Sequence, residues 1–66
     1  MKPETRIKLL TAWQYCDNED KSTEFMIQYM QDFAHVSFDT VINFLEKTSD
    51  LERTMFIKTL NKTKVK

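Results

Sequence analysis

Residues 30 to 45 read Met-Gln-Asp-Phe-Ala-His-Val-Ser-Phe-Asp-Thr-Val-Ile-Asn-Phe-Leu, and in them two short amphipathic helical patterns meet at a turn. Met30 and Phe33 complete a stripe begun by Met26 and Tyr29, with the three- and four-residue spacing that keeps side chains on one face of a helix. Ser37 opens the second pattern, because its hydroxyl can accept a hydrogen bond from a free N–H of the first helical turn. Val36 just before it and Val41 four positions after it form the apolar staple that fixes the angle at which the chain enters a helix.

Working outward in both directions, the same logic divides the whole chain into about four short helices. Asp20 or Ser22 caps the helix that carries the Met26 stripe, which Phe25, Ile27 and Ala34 widen. The helix after Ser37 runs to about Lys47. Upstream, a helix is expected from about Pro3 to Cys16, with Ile7, Leu10 and Trp13, joined by Leu9 and Cys16, on its apolar face. Proline suits that start, since the N–H it lacks would have no partner in a first turn. Downstream, Ser49 and Glu52 form a capping box ahead of Leu51, Met55, Phe56 and Leu60. Glycine is absent, and no period-two run is long enough for a sheet. The expected fold is all-α: a compact array or bundle of about four short helices, with a paired unit at residues 23 to 47. Residues 1 to 61 form one helical domain, and residues 62 to 66 form a frayed basic tail.

A domain of 66 residues is small enough to bury only about 60% of the surface its unfolded chain exposes. It still has to accommodate one Trp, two Tyr, five Phe and four Met. Cys16 is the only cysteine, so no internal disulfide and no thiolate cluster can hold the fold. No apolar run reaches the roughly 18 residues that a membrane span needs, and the N-terminus lacks the apolar stretch of a secretory signal. A soluble cytoplasmic protein is the expectation.

Formal charge sums to zero but is unevenly placed. Residues 17 to 46 contain Asp17, Glu19, Asp20, Glu24, Asp32, Asp39 and Glu46 against Lys21 alone. The C-terminal segment reverses this, with Arg53, Lys58, Lys62, Lys64 and Lys66 against Asp50 and Glu52.

The run Ala34-His35-Val36-Ser37-Phe38-Asp39-Thr40-Val41, followed by Phe44 and Leu45, resembles the Ala-Gly-Val-Ser-x-x-Thr-Val core of the helix-turn-helix in bacterial repressors. The resemblance covers about 16 of the 66 residues. Met30, Ala34, Val36, Val41 and Phe44 fall where that motif buries side chains. Two positions depart from it. His35 replaces the turn glycine at a site that needs a positive φ, and Gln31 replaces the small residue that lets the two helices approach. A DNA-binding regulator of this kind would use Ser37, Phe38 and Asn43 on its second helix, with Lys58, Lys62 and Lys64 meeting phosphate. Affinity for DNA comes mainly from cations that neutralise phosphates. The motif supplies none, and Asp39 adds repulsion.

Other chemistry is poorly supported. A calcium loop starting at Asp17 would need an oxygen ligand at Lys21, glycine at Ser22 and glutamate at Gln28, so no metal site is expected. Cys16 and His35 are single residues with no base or orienting group evident beside them. So small a chain is expected to leave no room for a sizeable pocket, hence no cofactor, no small-molecule substrate and no enzymatic activity.

The surplus of methionine and aromatic side chains is the more telling feature. A four-helix core that takes Met30, Phe33, Val41 and Leu45 has no places left for Phe25, Tyr29, Phe38 and Ile42. These four are the expected contact residues of an apolar face, with Asp39 and Glu46 as its acidic rim, steering encounter rather than supplying most of the affinity. The expected function is a non-catalytic interaction module that docks on another protein or on its own copy, of the small regulatory kind that phages and mobile elements carry.

Overall fold

A computed structural model describes residues 2 to 64, apart from the side chains of Thr63 and Lys64. Four helices follow one another, α1 (Pro3–Asn18), α2 (Thr23–Ala34), α3 (Phe38–Lys47) and α4 (Asp50–Lys64), and there is no strand among the described residues. They pack as a small helical bundle in which α1 lies along α2, α2 meets α3, and α4 rests chiefly on α1. None of the described helices is long and apolar enough to cross a membrane.

Each junction is set by local chemistry. Ser22 is the cap of α2, its hydroxyl accepting from the Phe25 N–H at 3.2 Å. The Ser37 hydroxyl likewise accepts from the Thr40 N–H at 3.3 Å at the start of α3. Ser49 and Glu52 form the reciprocal box at α4: the Ser49 N–H donates to the Glu52 carboxylate at 2.9 Å and the Glu52 N–H to the Ser49 hydroxyl at 3.2 Å.

With no glycine in the chain, the two helix ends that need a left-handed residue use Asp20, at φ 55°, and His35, at φ 57°. Both are residue types that tolerate this region better than most. At the first, the Lys21 N–H reaches back to the Cys16 carbonyl and the Asp20 N–H to that of Asp17. At the second, the His35 and Val36 N–H groups both bond the Gln31 carbonyl. These back-bonds satisfy carbonyls that the end of a helix leaves without partners. The positive φ expected at His35 is therefore present.

The core is built from Leu9, Leu10, Ala12 and Trp13 of α1, Met30 and Ala34 of α2, Val41 and Phe44 of α3, and Ile57 of α4. Val36 packs against the same cluster as Val41, as the staple requires.

Several sequence expectations are corrected. Phe33, a core residue by its spacing, is 40% exposed, and Ile7 is exposed beside the buried Leu9 and Leu10. On α4 the expected core members Leu51 and Met55 are 69% and 58% exposed. The helix instead turns Arg53, Phe56, Ile57 and Leu60 inward, an equally good three-and-four stripe whose first member is a charged residue. Helix α1 runs two residues past Cys16. Helix α4 continues to Lys64, so part of the expected basic tail is helical, while Val65 and Lys66 lie outside the described residues.

Arg53 can be buried because both of its terminal nitrogens are bonded, although Nε is buried without a partner among the described residues. Nη1 donates to the Leu45 carbonyl at 3.3 Å, to the Thr48 carbonyl, and to the Thr48 hydroxyl at 3.1 Å, and Nη2 donates to the Asp50 carboxylate. The guanidinium plane lies over the Trp13 ring, 4.9 Å from its centre. One side chain thus holds the end of α3, the connecting turn and α1 together.

Packing is less complete where α4 meets α1. Small hollows of about 160, 190 and 180 Å³ run along that seam, lined among others by Ile7 and Leu10 on one side and Ile57 and Leu60 on the other.

Candidate functional site

Positions 25, 29 and 33 of α2 are four apart, close to one full turn, so their side chains stand one above another along the helix. All three are aromatic. The Phe25 and Tyr29 rings are 5.9 Å apart with planes 12° from parallel, and Tyr29 and Phe33 are 5.8 Å apart at 19°. Tyr15 of α1 adds a fourth ring, 5.1 Å from Tyr29 and tilted by 32°. Phe25, Phe33 and Tyr15 are exposed, and Tyr29 in the middle is half-buried. The result is a continuous aromatic ladder open to solvent. Stacked or tilted rings at these separations attract one another beyond the effect of burial, so the ladder has a defined shape before anything binds it.

The surroundings of the ladder are polar. The Lys21 ammonium sits over the Phe25 face, 5.1 Å from the ring centre. The neighbouring strip of α2 carries Glu24, Gln28 and Asp32, with the Gln28 amide donating to the Asp32 carboxylate at 3.1 Å. All seven acids between residues 17 and 46 are exposed.

Of the six expected contact residues, Phe25 and Tyr29 are brought together in this ladder. Phe38 stands apart at the start of α3, 53% exposed and in no ring contact among the described residues. Ile42 is half-buried one turn further along α3, and Asp39 and Glu46 are exposed on the adjoining strip. Tyr15, and Phe33, which the sequence assigns to the core, complete the ladder. The continued four-residue spacing from Phe25 was a usable signal for Phe33, whereas Tyr15 joins only through the packing of α1 on α2.

The residues of the DNA-binding alternative are dispersed. The Ser37 hydroxyl is engaged in its cap and with the Thr40 hydroxyl at 3.0 Å. Lys58 and Lys62 line a shallow hollow with Met55 on α4, and the Lys64 side chain lies outside the described residues. Asn43 lies elsewhere, in an open cleft of about 650 Å³ between the start of α1 and one strip of α3. That cleft corrects the expectation that so small a chain leaves no room for a sizeable pocket. Lys2 just before α1, Arg6 of α1 and Lys47 of α3 line it, so the start of the chain brings to α3 cations that the motif itself lacks.

Cys16 is buried in the core face of α1, and burial pushes its thiol up, the charge of Lys21 acting in the opposite direction. His35 is exposed at the α2–α3 corner, and no hydrogen bond joins the two residues.

No family model matches the chain, and no curated protein or solved structure does.

Proposed function

We propose that the chain is a non-catalytic helical interaction module that docks the aromatic ladder of α2, with its acidic surroundings, onto a protein, either a second copy of itself or a different one. The observation that carries this reading is the run of Phe25, Tyr29 and Phe33, joined by Tyr15, left open to solvent in a domain whose core is small. Aromatic side chains contribute a large share of interface energy for little ordering cost, because few torsions need to be fixed. The exposed carboxylates of residues 17 to 46 favour a basic counterpart and would speed encounter with it.

Sedimentation of the chain alone and in native extract tests the proposal. Association is expected in one of the two settings and is expected to be lost in Tyr29→Asp while helicity is retained. A chain that sediments as a monomer in both settings, or association that survives both Tyr29→Asp and Phe33→Asp, overturns it.

Duplex DNA is the second reading, and what favours it is the positive φ at His35 and the Ser37 cap at the α2–α3 corner. Against it stand Asp39 and Glu46, exposed on the helix that would enter the groove.

A further inference from the structure

The cleft between α1 and α3 gathers more cations than any of the smaller hollows described above. Three of its lining residues are cations, Lys2, Arg6 and Lys47, and none is an acid, although the chain has as many acids as bases. None of the three has an ion-pair partner, since the one salt bridge among the described residues is that of Arg53 with Asp50. Arg6 lines both this cleft and the adjoining hollow, where its guanidinium rests on the Phe56 face, 5.2 Å from the ring centre, a contact that uses the charge without using up the N–H donors. Thr5 and Asn43, also in the lining, have side chains with no hydrogen-bond partner among the described residues. Lys2 occupies the cap position of α1 without capping it, where a cation opposes the helix dipole. Lys2, Arg6, Asn43 and Lys47 are open to solvent, so water serves them in the empty cleft, and an anion that enters meets three cations and no competing carboxylate in the lining.

We propose that this cleft binds a compact phosphate-bearing small molecule, its phosphate neutralised by Lys2, Arg6 and Lys47 and hydrogen-bonded by Thr5 and Asn43. A phosphate offers enough acceptor oxygens for several donors at once, and charge-assisted bonds of this kind are the stronger class. Size and surroundings favour a small ligand over a nucleic acid. The volume of about 650 Å³ falls within the range of small-molecule sites, roughly 300–1,000 Å³. Asp39 and Glu46 are exposed on α3 to either side of Asn43 in sequence and would repel a polyanion running along the helix. Phe44, the only ring in the lining, is buried and offers no face for a base to stack on. The inference does not depend on the aromatic ladder.

The test is a titration of the full chain with inorganic pyrophosphate at fixed ionic strength, followed by amide NMR shifts, which also report whether each variant is folded. Saturable shifts centred on Thr5, Arg6, Asn43 and Lys47 are expected. Affinity is expected to fall about tenfold in Lys47→Gln and in Arg6→Gln, the loss of one charge-assisted contact, and to be unchanged in Lys58→Gln. Shifts that do not saturate, or affinity lowered as much by Lys58→Gln as by Lys47→Gln, reduce the effect to general screening and overturn the proposal. A short DNA duplex that binds more tightly than pyrophosphate through the same residues overturns it in favour of a nucleic-acid surface.

Discussion

The Arg53 guanidinium lies over the Trp13 ring at 4.9 Å while its N–H groups hold the Leu45 and Thr48 carbonyls. A charged residue is thereby made part of the interior at the place where α4 joins the bundle. Most of its partners are neutral oxygens, and the single carboxylate, Asp50, is largely in water.

Arg53→Ala is therefore expected to lower stability by about 2 kcal/mol, the scale of leaving partly buried carbonyls without donors. Arg53→Lys should recover little, because one ammonium cannot span the same set of acceptors. Asp50→Asn should cost about 1 kcal/mol at most, as for other exposed pairs. Urea unfolding followed by circular dichroism checks all three. An Asp50→Asn loss as large as that of Arg53→Ala would show that the ion pair, rather than the carbonyl contacts, carries the effect.

His35 adopts φ 57° at the end of α2, a conformation in which its Cβ is crowded. His35→Gly is expected to raise stability by up to about 1 kcal/mol through relief of that crowding, partly offset by the greater freedom glycine gives the unfolded chain. His35→Val, branched at Cβ, is expected to be clearly destabilising. The checking measurement is the thermal midpoint of each variant. A glycine variant no more stable than the parent would mean that the His35 side chain itself stabilises the corner.

Burial holds the Cys16 thiol protonated to higher pH than in the unfolded chain. The stability linked to it is whole while the thiol is protonated in both states. It is lost as pH rises past the unfolded thiol's value of about 8.5 towards the higher folded value. The parent chain should therefore lose more stability between about pH 7 and pH 10 than Cys16→Ala does, the comparison cancelling the lysines and tyrosines that titrate in the same range. The thiol should also react with an aromatic disulfide reagent only as fast as the chain opens. Rapid modification of the native protein would place the sulfur at the surface.

Helix boundaries were the most legible part of the sequence because they depend on neighbours in the chain. Ser37, Ser22 and the Ser49–Glu52 box each mark a junction through bonds spanning three positions, and the need for a left-handed residue at His35 follows from its place between two helices. Which face of each helix turns inward was less legible. On α4, the Leu51–Met55 and Arg53–Ile57 stripes are both helically spaced, and hydrophobicity alone selects the first. The choice goes to Arg53 because carbonyls at the end of α3 and the Trp13 face wait for a donor and a cation, and those partners are remote in sequence. For the same reason Tyr15 could not be assigned to the aromatic face, nor Lys2 and Arg6 to the neighbourhood of Asn43. Both groupings depend on how α1 lies against the helices that follow it.

Small hollows line the seam between α4 and α1, so the last helix is joined to the bundle by fewer close contacts than the helices before it. Lifting the last helix would part Ile57 from Leu10 and take the Arg53 guanidinium off the Trp13 ring. Such a partial opening breaches far less of the interior than complete unfolding. Arg53, bonded to the end of α3 and lying on Trp13 of α1, is what ties the start of α4 to the other helices.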